Sequence, residues 1–323
     1  MGKIILYYKY VQIDNPEAIV HEHKVFCTQR NLTGRVLIAQ EGINGTLAGS
    51  DSAIQEYKDF MNNHPLFGNI DFKENPGDIN LFPKLKVLLR TTIVNLGVAP
   101  ELLTVKDTGK HLTPQQVNEL IERNKNNPDF VILDTRNDYE SAIGTFKNAI
   151  IPDIKTFREF PEYIDSHLDS FKDKEVLMFC TGGIRCERAT AYLNVKDVAK
   201  TVYQIEGGIH RYAEQYPDGY FRGKNYVFDG RIATPVNNDI LGHCLLCQKP
   251  CDDYNNCINT TCNKHFIGCD SCLEQLEYTC SPECLELVRT QQVPRRAVLR
   301  PIISHEQNNQ HTNAANSARC NAK

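Results

Sequence analysis

The sequence predicts a multidomain α/β chain with three modules. These are a ferredoxin-like βαββαβ domain, a central parallel α/β domain and a small cysteine-rich module that depends on metal. Three observations carry the prediction. The first ninety or so residues run strand, helix, strand, strand, helix, strand. Residues 113–215 alternate buried strands with helices. Nine of the thirteen cysteines crowd between Cys244 and Cys284. The expected boundaries are 1–98 for the first domain, 99–112 for a linker, 113–232 for the central domain, 233–290 for the cysteine-rich module and 291–323 for a basic, then disordered, tail.

Composition narrows the function classes. With 41% hydrophobic and 24% charged residues over 323 positions, the chain has an ordinary globular make-up of two or three domains. A net charge of −4 gives no global signature of nucleic-acid binding and leaves room for a local basic face. No apolar run approaches the roughly 20 residues that span a bilayer. The opening Met1-Gly-Lys-Ile-Ile-Leu-Tyr-Tyr-Lys is too short in apolar length for a signal peptide, so a cytoplasmic location is expected. In that compartment clustered cysteines read as metal ligands rather than disulfides.

In the first domain, Ile4–Val11 is β-branched and aromatic, as a strand requires. Asn15-Pro16-Glu17 supplies an N-cap, a first-turn proline and an acidic first turn for a helix to about Asn31. Arg35–Ala39 is the next strand, Glu41-Gly-Ile-Asn-Gly45 is turn chemistry, and Thr46–Ser50 returns as its partner. Asp51–Asn63 carries Ile54, Tyr57 and Phe60 at helical spacing, and Ile70–Lys73 and Leu85–Val94 are late strands. Lys84, Lys86 and Arg90 share one strand face by even spacing. With Lys9, Lys73, Tyr7, Tyr8 and Tyr10 they form a candidate phosphate-contacting surface, the alternative being a solvated face.

In the central domain, Thr113-Pro114 opens a helix to about Asn124, and Phe130–Asp134 is a buried parallel strand. Ala149–Pro152 is a short strand, 156–170 a helix, Glu175–Phe179 and Thr201–Ile205 further strands, and Ile209–Gln215 the last helix. Ligand sites of such sheets lie at the carboxyl ends of the strands. Two segments sit there: Asp134 to Glu140, and Cys180-Thr181-Gly182-Gly183-Ile184-Arg185. A glycine-rich loop opening a helix points backbone N–H groups inward, and the helix dipole adds positive potential. A thiolate at its first residue is stabilised, so Cys180 is the candidate nucleophile, the alternative being a buried structural cysteine. Only four residues separate Cys180 from Arg185, one fewer than in a Cys-x5-Arg phosphate cradle, and the smaller ring suits a sulfur- or oxygen-sized group. Cys186 reads as a small core residue, with a disulfide to Cys180 as the alternative.

The cysteine-rich module offers ten candidate metal ligands: Cys244, Cys247, Cys251, Cys257, Cys262, His265, Cys269, Cys272, Cys280 and Cys284, with His243 an eleventh. Cys244-x2-Cys247 and Cys269-x2-Cys272 are knuckles suited to tetrahedral zinc. Four ligands per ion give two sites, and which ligands share an ion stays open. An iron–sulfur cluster is the competing occupant. About 45 residues bury too little core to fold without metal, so the ions are expected to be structural. Pro294–Pro301 is basic enough to touch RNA backbone, with a solvated linker as the equal alternative. From His305 the polar composition reads as disorder.

Several of these residues carry a family likeness. Asp134-x-Arg136…Glu140, the loop Cys180–Arg185 and Gly207-Gly208 resemble a rhodanese domain. With Glu41-Gly-Ile-Asn-Gly-Thr46, Phe157-Arg-Glu-Phe-Pro161 and the trailing cysteines, residues 1–290 resemble the bacterial tRNA uridine hydroxylase family. That family places a 5-hydroxyl on the wobble uridine of tRNA using molecular oxygen. The resemblance implies Cys180 as the catalytic cysteine, the loop through Arg185 as its anion-stabilising frame and Asp134, Arg136 and Glu140 as support. It also implies the tRNA anticodon loop as partner. Gly144-Thr145 replaces the usual rhodanese Gly-His, and Cys186 replaces Ser or Thr; both departures point away from plain thiosulfate transfer. The sequence holds no flavin or dinucleotide fingerprint. Two alternative functions follow from the same residues: a sulfurtransferase carrying a persulfide on Cys180, and a non-enzymatic zinc-bearing RNA or protein adaptor.

Overall fold

A computed structural model describes residues 2–298. The segment from His305 and the last three residues of the basic stretch 294–301 lie outside them. The described residues form two compact units: one runs to Ile93 and includes Phe228–Arg231, and the other comprises Val94–Val227 and residues 232–298.

The first unit begins with β1 (Gly2–Tyr10), α1 (Pro16–Gln29), β2 (Thr33–Ala39), β3 (Gly42–Ser50), α2 (Asp51–Asn63) and β4 (Lys73–Gly77), the expected βαββαβ order. A fifth strand, β5 (Leu85–Leu89), is added parallel to β2, giving the order β4-β1-β3-β2-β5. Both helices start as their sequences dictate: Asn15 accepts from Ala18 N, and Ser50 accepts from Ala53 N. Ile54, Tyr57 and Met61 of α2 meet Ile5, Tyr7, Val36 and Ile38 of the sheet in one core.

The Glu41–Thr46 motif turns the chain more tightly than its glycines suggest, so β3 already starts at Gly42. Two of its side chains then clamp the backbone of Ile93. Glu41 Oε1 accepts from Ile93 N at 2.7 Å, and Asn44 Nδ2 donates to Ile93 O at 3.0 Å.

The candidate phosphate surface shrinks. Strand alternation turns Tyr7 into the helix-facing core, where its hydroxyl bonds that of Tyr57. Lys73 is buried against Asp71 at 2.8 Å, and Lys9 donates to Gly68 O at 2.6 Å. Lys84, Lys86 and Arg90 remain exposed, and exposed Arg35 lies opposite Lys86 in the register.

The second unit opens with β6 (Lys110–Leu112), α3 (Pro114–Arg123), β7 (Phe130–Asp134), α4 (Asp138–Ser141) and β8 (Gly144–Phe146). It continues with α5 (Phe160–Ser166), β9 (Glu175–Phe179), α6 (Ile184–Val195), β10 (Thr201–Ile205) and α7 (Gly208–Gln215). The stretch expected to be a linker therefore supplies β6, the edge of a four-stranded parallel sheet ordered β6-β10-β9-β7. Residues 149–152 make only one bridge, Ile150 to Leu133, rather than a strand. The helix expected over 156–170 is broken into α5 and flanking 3-10 turns, because Pro161 can enter a helix only in its first turn.

Then come β11 (Phe221–Tyr226) and β12 (Ala233–Pro235), which extend β8 into an antiparallel sheet. The cysteine-rich segment follows, with β13 (Tyr254–Asn256), β14 (His265–Ile267), α8 (Asp270–Gln275) and α9 (Pro282–Arg289). Among the described residues no helix is long and apolar enough to cross a membrane.

His23 of α1 gives the first unit a pH dependence. Burial holds its imidazole down to about 4 from an ordinary 6.5, against the Ile19 carbonyl that accepts from it. The unfolded chain binds a proton below pH 6.5 that the folded unit refuses until pH 4. Stability therefore falls as pH drops through that window, by about 3 kcal/mol in full. Amide exchange of β3, corrected for intrinsic rate, should show this loss of protection. Protection that stays flat across the window would mean that His23 is not held neutral.

Candidate active site and cysteine clusters

The carboxyl ends of β7 and β9 set the site. They pair in register up to Asp134 opposite Phe179, so Thr135 and Cys180 leave the sheet side by side. Thr135 fixes this exit by donating twice to Phe179 O, from N at 3.0 Å and from Oγ1 at 2.9 Å.

After Cys180 the chain wraps into a ring. Gly183 N donates to Cys180 Sγ at 3.1 Å, and Gly183 takes φ +101°, a conformation that disfavours a side chain. Gly208 closes the ring from α7. A Cβ there would stand 2.5 Å from Cys180 O and 2.8 Å from Gly183 N, so only glycine fits. That closeness lets Ile209 N and His210 N donate to Cys180 O and Thr181 O at 2.9 and 3.1 Å.

Arg185, in the first turn of α6, does not point at open solvent. Its guanidinium forks onto Glu140 of α4 at 2.5 and 2.7 Å, and both groups are buried. Thr181 Oγ1 lies 3.3 Å from Arg185 Nη2 and 3.3 Å from Tyr226 O. Burial opposes the guanidinium charge, and the Glu140 carboxylate more than offsets it. Burial likewise opposes a Cys180 thiolate, but Cys186, the Arg185 charge and Gly183 N together bring the thiol down to about 6. Cys180 is thus a buried sulfur whose surroundings favour the thiolate, the nucleophilic form.

Asp134 and Arg136 are brought near this ring but serve the scaffold. Asp134 receives Arg136 at 2.9 and 2.7 Å, Ser141 at 2.8 Å and Thr145 at 3.2 Å. Arg136 also donates to Gly144 O at 2.6 Å and lies over Phe179 and Phe221, 5.6 and 5.8 Å from their ring centres. Together they fix the turn from β7 through α4 to β8, which presents Glu140. A surface cavity of about 590 Å³ lined by Asn118, Glu122, Tyr216 and Tyr220, among others, shares no lining residue with the ring.

Eight cysteines gather into two groups of four: Cys244, Cys247, Cys269 and Cys272; and Cys257, Cys262, Cys280 and Cys284. The pairs alternate along the chain, so the two groups interleave. Sulfur separations of 3.7 Å for Cys247–Cys269, 3.6 Å for Cys262–Cys280 and 3.8 Å for Cys280–Cys284 match the edge of about 3.8 Å of a thiolate tetrahedron around a metal at about 2.3 Å. Cys269 N and Asn259 Nδ2 donate to Cys244 and Cys284 sulfurs, both at 3.4 Å, as outer partners of thiolate ligands do. Both groups can hold a metal ion.

Cys251 and His265, two of the ten expected ligands, stand outside both groups. Cys251 fills a core with Ile143, Tyr226, Tyr254 and Ile267. His265 stacks on Tyr254 at 4.3 Å, holds Asn256 Oδ1 through Nδ1 at 2.9 Å, and keeps Nε2 3.3 Å from the Tyr226 hydroxyl. Burial lowers its basicity, so the imidazole is neutral.

Family models match the chain in three segments: an acylphosphatase-like domain termed UPF0176 at residues 2–93, a rhodanese-like domain at 113–215 and a rhodanese C-terminal domain at 222–285. A tRNA uridine(34) hydroxylase of Acholeplasma laidlawii is 37% identical over 287 residues, covering 87% of this chain and 89% of its own. One of Cytophaga hutchinsonii is 39% identical over 285 residues, with the same two coverages. One of Chlamydia felis is 38% identical over 293 residues, covering 88% and 87%. The chain belongs to the tRNA uridine(34) hydroxylase family.

Members of this family are enzymes, and in this one three tyrosines absent from the sequence-based site join the cysteine-rich module to the ring. Tyr254 donates to Tyr139 O at 2.7 Å, next to Glu140; Tyr139 meets Tyr226 edge-on at 5.3 Å; and Tyr226 O faces Thr181. Only their placement beside Glu140 and at the end of β11 hints at this, and no spacing rule links them.

The ion pair makes a direct prediction. Glu140→Gln leaves the buried Arg185 charge uncompensated and should destabilise the second unit by about 3–5 kcal/mol. Urea unfolding should show a lower midpoint at unchanged slope. A midpoint equal to wild type would mean that the pair is not buried as described.

Proposed function

We propose that this chain hydroxylates C5 of the wobble uridine, U34, in the tRNA anticodon loop, with Cys180 as the catalytic nucleophile. The observation that carries the reading is a buried cysteine at the end of β9 whose sulfur accepts from Gly183 N at 3.1 Å, in a ring that only Gly208 lets close, in a chain of this family. A thiolate suits uridine because C6 accepts a soft nucleophile. Sulfur adds at C6, the C5–C6 π electrons shift toward the C4 carbonyl, and C5 becomes electron-rich. Molecular oxygen, as co-substrate, supplies the hydroxyl oxygen at C5, its second atom leaving as water with two electrons and two protons from a cellular reductant; loss of the C5 proton then re-forms the C5–C6 double bond and expels the Cys180 thiolate from C6. Ring donors to the sulfur and the Arg185 charge favour the ionised nucleophile, and Glu140 keeps that charge in place.

A wobble base suits a ring recessed in this way. Anticodon-loop bases are unpaired and can be splayed from the stack at low cost, so the enzyme need not melt a duplex. The divisions 1–98, 113–232 and 233–290 then have distinct work: tRNA contact through exposed Lys84, Lys86 and Arg90, chemistry at Cys180, and a zinc-organised platform. Zinc fits both four-cysteine groups as a structural ion, because protein thiolates fill all four positions and leave none for substrate. A cytoplasmic location agrees with a tRNA substrate.

Two measurements test this. Nucleosides from tRNA of cells lacking the gene should lose 5-hydroxyuridine and its derivatives, and Cys180→Ser should not restore them. Loss of thiolated nucleosides alone would favour sulfur transfer from Cys180 and sink the hydroxylase reading. Metal analysis of the full chain should find two zinc ions. Cys247→Ser and Cys280→Ser should each lose one, while Cys251→Ser and His265→Gln keep both. Iron with visible absorbance would overturn the zinc assignment.

A further inference from the structure

We propose that the two four-cysteine groups have different roles: the ion at Cys244, Cys247, Cys269 and Cys272 is exchangeable and holds the wall of the Cys180 ring, whereas the ion at Cys257, Cys262, Cys280 and Cys284 is locked in and holds α9. The inference rests on both groups binding metal. It makes the first group a metal-responsive control on the catalytic wall.

The groups differ first in what solvent reaches. Cys247 is exposed and Cys269 and Cys272 are half-buried, so three of the four cysteines of the first group border solvent. In the second group Cys257 and Cys280 are buried, Cys284 is 9% exposed and Cys262 is half-buried. A chelator takes a thiolate-bound ion by entering its coordination shell as a protein ligand leaves, because zinc tolerates a fifth partner in passing. Among the described residues Cys247 packs into neither buried core of the module, so it can leave the ion without disturbing any packing. All four cysteines of the second group pack into one core, and none can swing out without opening it.

They differ again in what they are packed against. Cys244 shares a core with Ile143, Tyr226, Tyr254 and Ile267, onto which Tyr139, Cys269 and Cys272 also pack. Tyr139 and Ile143 flank Glu140 on either side of the α4 end, and Tyr254 donates to Tyr139 O at 2.7 Å. The segment entering the first knuckle is held just as closely. Leu245 N donates to Ile267 O at 2.8 Å and Cys251 N to Gly242 O at 3.0 Å, and a Cβ on Gly242 would stand 3.3 Å from Ala142 O. The core of the second group is Phe266, Leu273, Tyr278 and its own cysteines, with no residue of α4, β8 or β11 among those described. Its backbone bonds lead away from the ring: Ile258 N donates to Tyr278 O at 3.2 Å, and Arg296 N to Ile258 O at 2.9 Å. β14 is the divide, since strand alternation turns Ile267 to the first core and Phe266 to the second. Loss of the first ion therefore loosens the packing under α4, which presents Glu140 to Arg185, and loss of the second does not.

The test is removal of metal from the full zinc-loaded chain by the coloured chelator pyridylazoresorcinol, followed by hydrogen exchange read by mass spectrometry. Release should come in two phases of equal amplitude, the second slower by about tenfold or more because it needs local opening of a core. Chain recovered after the first phase should have lost protection over residues 138–146 and kept it over Pro282–Arg289, and zinc added back should restore it. Cys247→Ser should show the same pattern without chelator, and Cys280→Ser the reverse.

Release of both ions in a single phase would overturn the proposal. So would protection of residues 138–146 that is unchanged after the first phase, or that is lost equally in Cys280→Ser. The stripped wild type carries the test if Cys247→Ser does not fold. A chain that holds no metal would overturn the metal reading and this inference with it, whereas two ions leaving together would overturn this inference alone.

Discussion

The second unit is organised around one buried ion pair. Arg185 begins the helix after β9, and Glu140 lies in the short helix after β7. Their fork at 2.5 and 2.7 Å joins the two strand ends that make the site. A buried guanidinium without its carboxylate costs several kcal/mol, so neither partner can move alone. The pair thereby fixes where the loop between Cys180 and Arg185 runs. It also sets the local charge: Glu140 neutralises most of what Arg185 carries, and the remainder joins Cys186 and Gly183 N in favouring a thiolate. Asp134 and Arg136 form a second buried pair whose task is to hold the turn that carries Glu140.

The cysteine-rich module is tied to the same pair. Tyr254 donates to the carbonyl of Tyr139, the residue before Glu140, and His265 stacks on Tyr254. Lys224 of β11 bridges Asp252 and Asp253 at 2.8 Å each. Two interleaved four-cysteine groups hold β13, β14, α8 and α9, which are too short to make a core of their own. Aromatic contacts thus connect the segment that carries those groups to the wall of the ring.

Much of this was legible in the residues. The helix caps at Asn15 and Thr113 act locally and were readable from the order of residues alone. The ring was readable because Gly-Gly between a strand and a helix has few other uses. What escaped reading depends on tertiary context. β6, an edge strand whose partner lies far away in sequence, falls in the expected linker, and β5 reads as a strand from Leu85 without any local pattern to announce its parallel pairing with β2. Tyr7 and Lys73 sit among surface-like neighbours, and only the sheet's facing decides that they are buried. His265 has perfect ligand spacing from Cys262, yet its ring is turned to Tyr254, and which four of ten candidates share an ion is a matter of three-dimensional closure.

The central claim is that the Cys180 sulfur attacks the wobble base. The most direct measurement is covalent capture of tRNA carrying 5-fluorouridine at position 34, whose C5 fluorine impedes completion after addition at C6. Under oxygen-limited conditions, nuclease digestion followed by peptide mass spectrometry should place the nucleotide adduct on the peptide between Lys174 and Arg185, on Cys180, and Cys180→Ser should abolish it. An adduct on any other residue, or one that persists in Cys180→Ser, would contradict the account.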